Sequence, residues 1–210
     1  MTTLPVFPLN ALLLPDCKMP LQIFEKRYLD MVSHCMRTNT AFCVALLRPG
    51  SERHEVIRPE QKPASTGLPF YTVGTEARIV DFGQRENGLL SITIQGGQRL
   101  VLTDVRQAAD GLWMASAESR PEQADLDITD GKEWTRLLEQ LLDMSGMGAL
   151  GIDASAQSSE QLMNYLIMLL PLPVEVKQDL LETDSHTARW QKLAGAIALL
   201  SGQGNRQTHN

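Results

Sequence analysis

The first part of the chain alternates short apolar runs with prolines. Residues 4–28 are apolar enough for a helix, but four prolines interrupt them: Pro5, Pro8, Pro15 and Pro20. An interior proline removes a helix hydrogen bond and clashes with the preceding turn, so one long helix is excluded. The pattern instead predicts extended segments, with a strand over residues 6–9 that residues 10–14 continue past a bend. A second strand is predicted over residues 21–24.

The spacing of apolar residues then changes. From Glu25 onward they recur at intervals of three and four, which predicts a helix that stops at Asn39. Residues 41–47 form a short apolar run that is typical of a buried strand. Residues 48–69 are polar, contain four prolines and have little periodicity. They predict a long loop, and loops of this length in a compact domain are usually functional or disordered.

The region from residue 75 to about residue 117 alternates apolar and polar positions, as strands do. Three dipeptides that favour tight turns divide it: Asn87-Gly88, Gly96-Gly97 and Asp110-Gly111. The region is therefore predicted to be an antiparallel meander of four strands. Because a meander has to protect its edges, we expect the N-terminal strands to close it into a barrel.

Helical periodicity takes over in the last third of the chain. An apolar stripe around Trp134 predicts one helix, and the capping box of Ser158 and Gln161 predicts a second one that runs to about Leu170. After two prolines a short helix follows. A last helix, capped by Asp184 or Ser185, is expected to end near Gly202.

These patterns together predict an α+β protein. Its β-rich part covers residues 1–120, an acidic and turn-rich linker covers 121–130, and helices cover 131–203. Residues 204–210 form a polar tail that we expect to be frayed.

Composition narrows the classes of function. The chain has 210 residues, 43% of them hydrophobic, and a formal net charge of -6, so it lacks the overall basic charge typical of proteins that grip phosphates. Its three cysteines form no CxxC pair and are expected to be free thiols in a reducing cytosol, since a metal site built on His34 and Cys35 would be poorly spaced. No signal peptide and no apolar run of about 18–20 residues is visible. We therefore expect a cytoplasmic protein with no membrane segment.

No stretch of the sequence has the pattern of a catalytic site. Residues 146–151, GMGALG, match G-x-G-x-x-G, but a Leu-rich helix precedes them where a dinucleotide site needs a strand, so they are expected to form an inter-helix loop. A Walker A sequence and a nucleophile elbow are absent. The sequence therefore predicts a protein that is not an enzyme and needs no cofactor and no metal.

Three stretches resemble one known family, the N-terminal substrate-binding domain of the ATP-dependent Lon protease. LPVFPLNALLLPDCKMPLQIFEKRYLDMV is similar to the family's opening, with L-P-x-F-P-L and I-F-E-x-R-Y. VGTEARI and IQGGQRL resemble its paired barrel motifs, and PVEVKQDLLETDSHTARWQKL resembles its K-Q-x-L-L-E helix pair. The resemblance implies a PUA-like antiparallel β pseudo-barrel followed by a C-terminal α-helical bundle. It also implies a free-standing version of the domain, without the ATPase and peptidase regions.

The function that the resemblance implies is binding of unfolded or partly folded polypeptides, in cooperation with a protease or a chaperone. Such a site needs an exposed apolar surface. The candidates are Leu12, Leu13, Leu14, Pro15 and Met19, in a groove beside the loop of residues 48–69, unless these residues are simply barrel core. The alternative is RNA binding by a PUA-like protein through a basic stripe on the meander: Arg78, Arg85, Arg99 and Arg106. Acidic neighbours of these arginines favour a mixed, solvated face, so nucleic acid is the less favoured partner.

Overall fold

The computed structural model describes residues 2–51, 67–84, 88–123 and 131–207, of which 201–207 are described by their backbone only. Its strands are β1 (Thr2–Leu9), β2 (Lys18–Ile23), β3 (Phe42–Leu46), β4 (Val73–Gln84), β5 (Leu90–Gln107) and β6 (Trp113–Arg120). Its α-helices are α1 (Lys26–Thr38), α2 (Gly131–Ser145), α3 (Ser159–Leu169), α4 (Val174–Glu182) and α5 (His186–Gln207). The protein therefore combines one mixed sheet with five helices, as the α+β prediction required.

Five of the six strands form a closed ring. The strand order is β2-β5-β4-β3-β1-β6, and β6 also pairs with β5. This extra pairing closes a ring of five strands: β1, β3, β4, β5 and β6. Strand β2 lies outside the ring and pairs with β5. The prediction that all pairs are antiparallel is wrong at one place, because β1 and β3 run parallel. Between these strands the chain passes through β2 and α1, and a crossover of that length brings a strand back in the same direction.

The positions of the N-terminal prolines follow from the strand pairing. Residues 2–6 of β1 pair with β6, and residues 6–9 pair with β3, so only Val6 has a partner on both sides. Pro5 and Pro8 lie in stretches with one partner strand, and Pro20 lies in β2, which pairs only with β5. Since proline cannot donate a backbone hydrogen bond, it is tolerated where one side of a strand is free. Residues 10–14, which were predicted to continue the strand, are not strand.

The Gly96-Gly97 pair does not form a turn. Both glycines lie inside the single 18-residue strand β5, so the four predicted strands of the meander are three. Gly96 is instead the place where residues 14–17 cross β5: its N–H donates to Cys17 O at 2.9 Å, and its carbonyl accepts from the Asp16 N–H at 3.0 Å. A Cβ at Gly96 would lie 2.1 Å from Leu14 O. The residue is glycine because no side chain fits under this crossing.

The other predicted turns and helix ends can be compared with the structure one by one. At Asp110-Gly111 the turn is confirmed, with a φ of 82° at Gly111, whereas Asn87 lies outside the described residues. The helix stop at Asn39 and the capping box of Ser158 and Gln161 are also confirmed. Helix α5 continues to Gln207, beyond the predicted end near Gly202, so at least residues 204–207 of the expected tail are helical.

Residues 146–151 form the predicted inter-helix loop. They follow α2, and Met147–Leu150 is a short 3-10 helix between two glycines of positive φ. The strand that a dinucleotide fingerprint requires does not precede them.

Buried apolar residues form three clusters. The barrel core fills the strand ring with residues such as Leu4, Val6 and Leu100. The α1 core lies between α1 and the sheet and includes Tyr28, Met31 and Ile92. The junction core joins the barrel to α2–α5, and in it Leu14 and Leu46 belong to the same cluster as helix residues such as Leu166. The helices therefore pack directly on the barrel, and the division at residues 121–130 stays a prediction.

Candidate functional site

The five residues predicted to form an apolar binding surface are all buried: Leu12, Leu13, Leu14, Pro15 and Met19. Leu12 and Leu14 belong to the junction core, whereas Leu13 and Met19 belong to the α1 core. The expected exposed surface at these residues is therefore corrected to buried core. The sequence did not distinguish the two cases because an apolar segment between two layers has the same composition as an exposed groove.

Polar contacts hold this crossing segment in place from both sides. The hydroxyl of Thr75 donates to Leu13 O at 2.7 Å, and the Asn164 amide donates to Pro15 O at 3.1 Å. The Lys18 N–H donates to the Tyr165 hydroxyl at 2.9 Å. Burial is the main cause that raises the pKa of Tyr165 to about 12, so this hydroxyl stays protonated at neutral pH. The segment is fixed between barrel and helices rather than open to a partner.

The basic stripe that would bind RNA is interrupted at Arg99. Its guanidinium is fully buried and donates to Leu181 O at 2.6 Å, to Pro121 O at 2.8 Å and to Asp184 at 2.8 Å. Arg78 forms an ion pair of 2.9 Å with Glu76, and Arg85 lies outside the described residues. The prediction that these arginines line one exposed face is wrong for Arg99, which is a structural residue.

Arg99 belongs to a network of charges between the barrel and the helices. Glu122 contacts Arg99 and Arg189, both fully buried, and Asp184 accepts from Arg120 at 2.8 Å. The hydrogen bond from Arg120 is the main cause that holds the pKa of Asp184 below its usual range. His186 lies between Glu122, at 3.5 Å, and Glu160, at 3.0 Å. These ion pairs join the strand end around residues 120–122 to the start of α5, so the network serves the joint between the two layers.

Neither the cysteines nor the potential metal ligands of the described residues form a reactive centre. The cysteines are free and buried, and burial raises the pKa of the Cys17, Cys35 and Cys43 thiols. Thiols of raised pKa are poor nucleophiles at neutral pH. No group of three His, Cys, Asp or Glu side chains that could hold a metal ion occurs in the described part of the chain.

Helix α1 contributes to three of the surface clefts among the described residues. The largest of these three has a volume of about 880 Å³, and its lining includes Arg27, Asp30, His34 and Glu76. The Arg27 guanidinium is 2.9 Å from Glu25 and donates to Gly111 O at 3.0 Å. Arg27 and Arg78, two of the cations of this cleft, are engaged by the protein's own acceptors. The cleft is therefore mixed in charge.

The second cleft lies at the N-terminal end of α1 and is smaller, with a volume of about 170 Å³. Phe24, the residue between β2 and the N-cap of α1, lines it and is 68% exposed. Phe7, Tyr28 and Leu47 line the same cleft from the protein interior. The Phe24 ring therefore lies at the surface, above a cleft whose inner wall includes buried apolar side chains.

The third cleft lies between the C-terminal part of α1 and β4, and we call it the edge cleft. It has a volume of about 200 Å³ and is lined by Cys35, Met36, Asn39, Thr40 and residues 78–82. Met36, Val80 and Phe82 are exposed, and Phe82 is 63% exposed. Together with Phe24, these residues make four of the six large exposed apolar side chains in the described part of the chain.

Sequence reasoning missed this surface for an identifiable reason. The alternating pattern places Phe24 in the predicted strand 21–24, and it predicts a regular strand around residues 78–82. The only available signal is that apolar residues continue along the sequence of β4 to Phe82.

No helix in the described part of the chain is both long enough and apolar enough to cross a membrane.

The known sequences that this chain resembles come from Lon proteases. Over residues 3–198 the chain matches the family described as ATP-dependent protease La (LON) substrate-binding domain. It is 28% identical over 144 residues to Lon protease 1 of Bdellovibrio bacteriovorus, covering 66% of this chain and 16% of that protein. It is 24% identical over 193 residues to the Lon protease of Anaeromyxobacter dehalogenans, covering 89% of this chain and 22% of that protein. The chain thus spans less than a quarter of the length of these relatives.

Solved structures have the same fold. The crystal structure of a Lon N-terminal domain protein from Xanthomonas campestris has a TM-score of 0.67 and 28% identity, covering 93% of this chain and 98% of that one. The N-terminal domain of a Mycobacterium avium complex Lon protease has a TM-score of 0.58 at 16% identity and covers 94% of this chain and 98% of that one, which supports the fold alone. By its match over residues 3–198, this chain belongs to the LON substrate-binding domain family.

Proposed function

We propose that the protein is a non-catalytic module that binds unfolded or partly folded polypeptides, on a PUA-like pseudo-barrel with a C-terminal helical bundle. Membership in a family of substrate-binding domains supports this role. In the proposed role the protein delivers polypeptides to a protease or chaperone, and nucleic acid is not its partner. The closed ring of β1, β3, β4, β5 and β6 supports the barrel part of the proposal.

The observation that carries the proposal is the concentration of exposed apolar side chains around α1. Phe24, Met36, Val80 and Phe82 flank clefts that border this helix. Unfolded polypeptides differ from folded proteins mainly in presenting apolar side chains, so a surface that selects them has to offer apolar area of its own. A contribution of Leu12, Leu13, Leu14, Pro15 and Met19 to binding stays a prediction, and it requires these buried residues to become accessible.

The test is a binding titration with reduced, carboxymethylated α-lactalbumin, which cannot refold. We expect the unchanged protein to bind it, and Phe24→Ser to weaken binding by at least about tenfold, since burying a phenylalanine contributes about 1.5–3 kcal/mol. Met144→Ser is the matched control: Met144 is 84% exposed and lies on α2, away from the clefts at α1. Equal affinities of both variants and the unchanged protein would refute the assignment of Phe24 to the binding surface.

RNA binding is tested with the same preparations. A titration with single-stranded RNA at low salt is expected to show no saturable binding, because Arg99 is buried and Arg78 is paired. Saturable RNA binding that weakens steeply with salt would make RNA binding the favoured function instead of polypeptide binding.

A further inference from the structure

The outer part of β4 has a partner strand on one side only. The β3–β4 pairing ends at Phe42 and Ala77, whereas the pairing of β4 with β5 continues to Gln84. Among the residues that the structure describes, no strand pairs with the other side of residues 78–84. At about 3.3 Å per residue, residues 79–84 offer a free edge about 20 Å long. A free edge presents backbone donors and acceptors that suit another extended chain.

One backbone N–H group of this segment donates its hydrogen bond to a side chain. The Phe82 N–H donates to the Asp81 carboxylate at 2.9 Å. A register shift between Ile79 and Asp81 also leaves Val80 without a partner on β5. A carbonyl of an incoming strand is the same kind of acceptor as the Asp81 carboxylate and can replace it at the Phe82 N–H.

The edge cleft lies beside this strand and has a volume of about 200 Å³. An extended strand, which places every second side chain in the cleft, fits this space. Of the charged groups in the cleft, Arg78 is paired with Glu76 and Asp81 is engaged by Phe82. The exposed side chains of Met36, Val80 and Phe82 give the cleft apolar surface for the side chains of an added strand.

We propose that residues 79–84 of β4 bind an extended apolar segment of an unfolded polypeptide as an added strand, with alternate side chains in the edge cleft against Met36. Backbone hydrogen bonds would supply affinity without requiring a particular sequence, and the cleft would select apolar side chains at every second position. This inference rests on the proposed polypeptide-binding function and specifies where and in what conformation the polypeptide binds.

The test combines amide hydrogen exchange with a substitution at the edge, using reduced, carboxymethylated α-lactalbumin as the probe and the full chain as the receptor. Bound probe is expected to slow exchange of amides within residues 79–84 by about tenfold, roughly the equilibrium change that one added hydrogen bond produces. Val80→Lys places a charge at the exposed edge and is expected to weaken binding about tenfold. Met144→Lys, at an exposed position on α2, is the matched control and is expected to bind as the unchanged protein does.

The possible results separate this inference from the proposed function. If the probe binds but residues 79–84 exchange as in the free protein, the added strand is refuted and polypeptide binding stands. If the probe does not bind, both proposals fail. Each variant is checked by thermal melting; should Val80→Lys lose its cooperative transition, Phe82→Lys, at a side chain that is also exposed, takes its place. Unchanged affinity of a folded edge variant would likewise overturn the proposal.

Discussion

Replacing Gly96 by alanine tests how the N-terminal segment is held on the barrel. The new Cβ would lie 2.1 Å from Leu14 O and 2.9 Å from the Leu14 carbonyl carbon, both of which are backbone atoms. A carbon and a carbonyl oxygen in contact are normally about 3.3 Å apart, so the crossing segment has to move by about 1 Å. A movement of this size breaks the hydrogen bonds that join Gly96 to Asp16 and Cys17.

The cost follows from the contacts that the movement disturbs. Each of the two backbone hydrogen bonds contributes about 1 kcal/mol. Leu12, Leu14 and Cys17, which belong to the junction core, would lose part of their packing against the helices, at a cost of about 2 kcal/mol. We therefore expect Gly96→Ala to lower the free energy of unfolding by about 4 kcal/mol. For a slope of about 2 kcal/mol per molar urea, the midpoint would fall by about 2 M.

The assay is urea unfolding followed by the fluorescence of Trp113, Trp134 and Trp190, together with far-UV circular dichroism. The matched control is Gly83→Ala: Gly83 lies in β4, no atom within 4 Å opposes a Cβ there, and its φ is not positive. This control is expected to change stability by no more than about 0.5 kcal/mol. If Gly96→Ala also stays within 0.5 kcal/mol of the unchanged protein, the close crossing at Gly96 does not exist and the reasoning is wrong.

Three further predictions address the core and the charge network. Leu13→Asp should destabilise the protein by at least about 3 kcal/mol in urea unfolding, because Leu13 is fully buried; a folded Leu13→Asp protein that has lost α-lactalbumin binding would return this residue to the binding surface. Arg99→Met should cost about 3–5 kcal/mol by the same assay, because it leaves the Leu181 and Pro121 carbonyl oxygens without this donor and removes one of the two cations that contact Glu122. A loss below about 1 kcal/mol would show that the network is dispensable. Asp184→Asn should lower the melting temperature at pH 7, and the difference from the unchanged protein should shrink as the pH falls below about 4. The reason is that the pKa of Asp184 is lower in the folded than in the unfolded state. Such a carboxylate stabilises the fold at a pH above its unfolded-state pKa, and this stabilisation is lost as the carboxylate is protonated. A difference that does not change down to pH 2 would contradict the role of the Asp184 charge.

The sequence by itself determined the local elements and the family. Helix α1 and its end at Asn39, the capping box of α3 and the turn at Gly111 were all predicted, because a cap, a turn or a 3.6-residue period depends on residues close together in the chain. The family was recognised from three stretches for a related reason. Two residues of one stretch, Gly96 and Arg99, occupy positions at which few other residue types fit.

Only the tertiary structure decided which apolar segments are buried and which backbone edges are free. Leu12, Leu13 and Leu14 look like an exposed surface until α2, α3 and α1 pack on them. The Gly96-Gly97 pair looks like a turn until residues 14–17 cross over β5. The free edge at Phe82 exists because β3 ends its pairing at Ala77 while β5 continues, and this depends on the relative lengths of strands far apart in the chain. Local patterns carry no record of such contacts, since burial and edge exposure are properties of the neighbours that folding brings together.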